Sequence, residues 1–208
     1  DAMDVRDTLV REAAAGDFVL SRTNAPLVPL CLALLKAHKV ARIRGRDLSQ
    51  GLRKLCEQIE RGGARTIDDL REALHEHVER TVMTLNRRLE RGELRQDTVK
   101  EMIERVRDNV DVIVALSDEL VSLAELYARF ETLFTGDDLS TAVMFSTVHR
   151  AKGLEADRVW LLESTFRAKR RGENTADGWR PGAEEENIRY VAITRAKREL
   201  VWLKGEIE

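Results

Sequence analysis

The chain has 208 residues, 43% of them hydrophobic and 35% charged, which is enough apolar material for one sizeable core and a smaller satellite. It contains no run of about 18 apolar residues and no basic-then-apolar leader, so neither a membrane span nor an export route is expected and the cytoplasm is the expected location. Cys31 and Cys56 have no CxxC or Cys/His partner set, which argues against a disulfide frame or zinc site, and a net charge of −2 is not that of a strongly basic nucleic-acid binder.

The charge is unevenly spread. Segments 1–45 and 139–208 together carry +4, whereas 46–138 carries −6. The chain opens on Asp1 rather than Met, as an excised piece of a longer protein would.

Residues 4–15 have helical spacing in Val5, Leu9 and Val10, with Gly16 as a stop. Phe18-Val19-Leu20 is a short apolar run leading into Ser-Arg-Thr-Asn, the pattern of a buried parallel strand feeding a helix. That helix is expected over 25–38, with Asn24 as its N-cap and Pro26 tolerated in the first turn. Ala41-Arg42-Ile43 reads as a second strand, giving the β-α-β order of α/β domains.

From 46 to about 135 the apolar positions recur at helical spacing. Thr66-Ile67-Asp68-Asp69 resembles a capping box opening a long helix with Leu70, Leu74, Val78, Val82, Leu85 and Leu89 on one stripe. Further helices are expected over 95–116 and 119–134. After Gly136 the α/β pattern resumes, with strands at 142–146 and 158–162, a polar helix near 184–197 and a last strand at 200–203. The expected architecture is one parallel sheet built from 1–45 and 139–208, interrupted by an all-helical insertion at 46–138.

Two segments carry the chemistry. In the first, a strand leads into Thr147, His149, Lys152 and Gly153, placing hydroxyl, imidazole, ammonium and exposed backbone at a strand's carboxyl end, where α/β sheets bind ligands such as phosphate. In the second, Arg195 lies near the end of a helix headed by Glu184, Glu185 and Glu186, and a guanidinium there can take phosphate oxygens two at a time. Each residue also has a bland alternative. Arg22, Arg195 and Glu155 can be salt-bridge partners, His149 a capping or core histidine, and Lys152 a solvated lysine. His75 and His77 face different sides of a helix and are expected on the surface. Arg80, Arg87, Arg91 and Arg95 are interleaved with acids, as on a solvated face. Trp179, in a loop with Arg167, Lys169, Arg170 and Arg171, is expected to pack against the 184–197 helix rather than stack on a base.

Thr147-x-His149-x-x-Lys152-Gly153-Leu154-Glu155 resembles motif V of the UvrD/Rep/PcrA-like superfamily 1 DNA helicases. Glu184-Glu185, followed by Tyr190-Val191-Ala192-x-Thr194-Arg195-Ala196, is similar to their motif VI, and Leu20-Ser21-Arg22-Thr23-Asn24 to their motif IV. The three stand in the family's order, with an insertion where the family inserts a subdomain. The resemblance implies a second RecA-like motor domain of an ATP-dependent helicase that translocates on single-stranded DNA and unwinds duplex in repair or replication. Arg22 and Arg195 would reach the γ-phosphate of ATP, a role worth about 10³–10⁵ in rate. Glu155 would bind the ribose, and Thr147, His149 and Lys152 would meet the DNA backbone or hold the loop that does.

The implied ligand edge comprises residues 21–24, 147–155 and 195. The implied partners are single-stranded DNA, duplex junctions and a first RecA-like domain of the same protein, while the oligomeric state is left open. Ser21 stands where many relatives carry a Tyr that stacks on adenine, and Ala156 where many carry Phe or Trp. The sequence has no GxxxxGK[ST] loop and no acid pair on a strand for Mg²⁺, so ATP and its metal would be held by the first domain, and the chain alone is expected not to hydrolyse ATP. The rival class is a non-catalytic helicase-like module that binds nucleic acid or protein.

Overall fold

The computed structural model describes residues 4–134, 141–166 and 183–205, in two compact units: 1–45 with 135–208, and 46–134. The first unit begins with helix α1 (Val5–Glu12), strand β1 (Phe18–Ser21), helix α2 (Leu27–Lys36) and strand β2 (Ala41–Ile43). The second unit holds α3 (Arg46–Arg61), α4 (Ile67–Glu90), α5 (Gln96–Leu116) and α6 (Leu123–Leu133). The chain then returns to the first unit with β3 (Val143–Thr147), β4 (Ala156–Leu162), α7 (Ala183–Ile193) and β5 (Ala196–Leu203).

The strands form one parallel sheet in the order β2-β3-β1-β4-β5. Parallel strands covered on both faces read as unbroken apolar runs, and every residue of β1 and β3 is buried. The pleat sends Phe18, Leu20, Met144, Val159 and Leu161 to the face shared with Ile188 and Ala192 of α7. Val19, Phe145 and Trp160 alternate with them and so belong to the opposite face.

At the sheet's amino edge Asp17, only 7% exposed, accepts from Trp160 Nε1 at 2.9 Å and from the Ala14 amide at 3.1 Å. Arg158 lies over the Trp160 ring, 5.3 Å from its centroid, and pairs with Glu199 at 2.8 Å. Lys39 Nζ caps the end of α1 through the Ala13 carbonyl at 2.6 Å.

Several boundaries differ from the sequence expectation. α2 stops at Lys36 because His38 takes a left-handed φ of 59°, and Pro26 rather than Asn24 is its N-cap. The Asn24 carbonyl accepts from the Leu27 amide instead. α7 ends at Ile193, so Arg195 sits in the turn after it, and β5 starts at Ala196, paired with Ala156 of β4. The strand residues Lys197, Arg198 and Glu199 are exposed on this edge, which hid them in a polar helical pattern.

In the helical unit Thr66 and Asp69 form the expected capping box. Two backbone amides, of Arg65 and Thr66, hold the Asp69 carboxyl below its usual range. α6 starts at Leu123, later than expected, because Ser122 and Glu125 form a second capping box. On the α4 stripe Leu70, Leu74 and Leu85 are buried, whereas Val78, Val82 and Leu89 are half-buried. Tyr127 donates to Glu60, with Arg53 over its ring. His75 is exposed, but His77 is half-buried rather than a surface residue, and burial followed by nearby Arg80 lowers its pKa. Arg80 and Arg91 pair with Glu76 and Glu93 as on a solvated face.

Cys31 and Cys56 are both buried as thiols. Burial pushes Cys56 up to about 12 and Cys31 further in the same direction. No helix among the described residues is long and apolar enough to cross a membrane, and no group of three or more His, Cys, Asp or Glu side chains among them could hold a metal ion.

Candidate functional site

β1 and β3 end side by side, with Ser21 opposite Thr147 and the Val148 amide donating to the Ser21 carbonyl at 3.0 Å. From there the chain must reach the amino end of β4 on the far side of β1, and residues 148–155 make that crossing. It starts as a turn, with the amides of Arg150 and Ala151 both donating to the Thr147 carbonyl at 3.0 Å. Gly153, at φ +82°, redirects it, a conformation that side-chain-bearing residues adopt at a cost.

Side chains alternate with a period of three along the crossing. Val148 and Ala151 are buried in the core below, and Leu154 packs against it, while His149, Lys152 and Glu155 are exposed. His149 and Lys152 line a groove of about 270 Å³ with Val148 and with Asn187, Ile188 and Val191 of α7. Thr147, by contrast, is only 6% exposed, so it shapes the turn more than it offers open surface.

Arg22 follows β1 at the carboxyl edge. Its amide donates to Thr165 Oγ1 at 3.1 Å, and its Nε meets Glu185 Oε2 at 3.4 Å. Arg195 occupies the turn between α7 and β5. Its Nε donates to the Val191 carbonyl at 3.0 Å, Nη1 to the Leu154 carbonyl at 3.1 Å and Nη2 to Thr194 Oγ1 at 3.1 Å. A cation on the last carbonyls of a helix is favoured by its dipole. Glu155 pairs with Lys197 at 3.8 Å, with both side chains about half exposed.

The expectation of a single ligand edge from 21–24, 147–155 and 195 is corrected. Arg22, Thr147 and the start of the crossing lie at the carboxyl edge. Arg195 and Glu155 lie at the amino end of β4, where the Ala156 amide donates to the Arg195 carbonyl at 3.0 Å. Ala156 precedes Leu161, the partner of Leu20, by five residues, roughly 16 Å along the strand. The crossing and α7 both run from one edge to the other. In a parallel sheet each crossover leaves the carboxyl edge and lands at the amino edge, so Arg22, just after β1, and Arg195, just before β5, fall at opposite edges.

Glu185, which the sequence placed only at the head of a helix and in the motif VI resemblance without a role, and Asn187, which it did not single out, also lie at the candidate site. Ser21 is fully buried, and its Oγ accepts from the Thr23 amide at 3.3 Å, so it offers no surface for adenine. Ala156 is buried at the start of β4. Trp179, Arg167, Lys169, Arg170, Arg171 and the 138/139 boundary lie outside the described residues.

A parallel five-stranded sheet with ligand-type residues on the crossover between β3 and β4 is a RecA-like α/β fold. The family profile of the UvrD-like helicase C-terminal domain matches residues 38–204, and the chain belongs to that family. The match includes the 147–155 crossing and Arg195 and begins after Arg22. DNA helicase II of Rickettsia typhi (strain ATCC VR-144 / Wilmington) is 35% identical over 103 residues, a stretch that covers 47% of this chain and 15% of that relative's length.

Proposed function

We propose that this chain is the second motor domain of an ATP-dependent DNA helicase that translocates on single-stranded DNA and unwinds duplex junctions. The observation that carries this reading is the crossing at 148–155. The residues that would meet DNA, His149 and Lys152, and the one that would meet the nucleotide ribose, Glu155, share one exposed row on it. Its Leu154 carbonyl is held by Arg195. A pull on either end is therefore felt at the other.

ATP with Mg²⁺ supplies the phosphoanhydride whose hydrolysis drives the motion. Arg22 and Arg195 fit the charge of its phosphates. The sequence has no GxxxxGK[ST] loop, so in this reading Mg²⁺ and the β/γ-phosphates fall to a first RecA-like domain with a P-loop. In this arrangement Arg195 exchanges neutral carbonyl partners for phosphate oxygens, whose charge-assisted bonds are about twice as strong. Leu154 is thereby released, and the His149–Lys152 groove shifts against the DNA backbone. Thr147 keeps the turn in place beneath them. Arg22 starts from the other edge and acts from where Glu185 meets its Nε, so the two arginines share a phosphate only when Arg195 leaves its carbonyl partners. A cytoplasmic protein of repair or replication is the setting that suits this activity.

The isolated 208-residue chain should show no ATP turnover above background, with or without DNA, in a phosphate-release assay. Robust DNA-stimulated hydrolysis by the purified chain would sink the divided-motor reading. In the intact protein, Lys152→Ala should weaken single-stranded DNA binding regardless of sequence and flatten the log–log salt dependence by about 0.7, one phosphate contact on a single strand. An unchanged slope removes Lys152 from the interface. Tight binding of single strands by the isolated chain at physiological salt is the result expected of the binding-module alternative.

A further inference from the structure

The Arg22 guanidinium meets a residue to which no role has been given. Arg22 stands just past β1 with its amide fixed by Thr165 Oγ1, itself tied to the Leu162 carbonyl at 2.8 Å. Across the sheet's carboxyl edge, Glu185 projects from the first turn of α7, where the helix N-terminus favours a negative charge. The two meet at 3.4 Å across 163 residues of sequence, with side chains only 22% and 15% exposed. A guanidinium this far withdrawn from water needs a counter-charge. The contact is made through Nε, the nitrogen nearest the backbone. A carboxylate there restrains the rotation of the guanidinium plane about the side chain.

We infer that Glu185 is a positioning residue that aims Arg22 at the phosphate through the Arg22 Nε–Glu185 contact. The inference rests on the motor reading above, in which Arg22 acts on the nucleotide.

The test is a double-mutant cycle on DNA-stimulated ATP hydrolysis by the intact protein. Glu185→Gln keeps the shape and loses the charge. It should lower kcat by about 10–100-fold, the cost of a misaimed catalytic group, while KM for ATP changes by less than about threefold. Glu185→Asp should recover part of the loss. In an Arg22→Ala background, Glu185→Gln should add less than about a twofold effect, because its action passes through the missing guanidinium.

Equal losses in both backgrounds, or a Glu185→Gln protein with the parent kcat, overturn the inference. An Arg22→Ala protein with undiminished kcat instead removes the motor role of Arg22 itself, so the two failures are told apart.

Discussion

Replacing Arg195 with alanine in the intact protein is expected to lower DNA-stimulated ATP turnover by about 10³-fold or more, with a much smaller change in ATP affinity. A loss of that size corresponds to about 4 kcal/mol of transition-state stabilisation. Its source is the positive charge that a planar fork delivers to phosphoryl oxygens as the bond loosens. In the structure the fork is spread over the Val191 and Leu154 carbonyls and Thr194 Oγ1, so alanine also removes three hydrogen bonds, one of which, to Leu154, fastens the end of α7 to the crossing. Lysine separates the two effects, because its ammonium restores the charge and can still donate to carbonyls but cannot present a planar fork. Arg195→Lys should therefore stay well below the parent in kcat while unfolding closer to it. Steady-state kinetics beside a thermal unfolding midpoint make the measurement. A kcat near that of the parent in Arg195→Ala would end the assignment.

Trp160→Ala should destabilise the α/β unit by about 3–5 kcal/mol, read as a shift in the urea midpoint by far-UV circular dichroism. Trp160 is among the largest side chains that are fully buried, and its removal opens a cavity under the sheet. It also deprives Asp17 of the indole donor and Arg158 of the ring beneath it. Trp160→Phe keeps most of the volume but not the donor. Its cost should be about 1–3 kcal/mol, that of leaving a buried acceptor short of a partner. Against a typical total of about 5–15 kcal/mol, the alanine variant is expected to be partly unfolded in the warm. A shift worth under about 1 kcal/mol would show that Trp160 does not tie α1 and the sheet together.

The sequence displays those parts of the fold that local pattern controls. Phe18–Leu20 and Val143–Phe145 are unbroken apolar runs because β1 and β3 are covered on both faces. Thr66 and Asp69 announce α4 because a capping box is a purely local device. β5 is a different case. Ala196 to Glu199 pair with β4 at an open edge, so their side chains remain polar and imitate a helix surface. The start of α6 was obscured because Leu120 and Val121 extend the apolar spacing ahead of the Ser122 cap.

At the site, the residue types and spacing of Thr147 to Glu155 and of Arg195 are legible as ligand chemistry. The present partners of the two arginines are not. Glu185 lies 163 positions from Arg22, and the Leu154 carbonyl is backbone, which leaves no trace in residue identity. The placement of Arg22 and Arg195 at different edges follows from the parallel pairing of every strand, because Arg22 comes just after β1 and Arg195 just before β5.

The two buried thiols fall one to each compact unit, Cys31 on α2 and Cys56 on α3. A thiol that is buried and kept protonated reacts with a disulfide reagent only when its surroundings open. The unaltered protein thus carries two internal reporters, and following them separately by mass after a timed pulse of reagent measures how often the sheet unit and the helical unit each come apart. Ligand-induced protection of Cys31 without change at Cys56 would localise the stabilisation to the sheet unit, with no label having to be introduced.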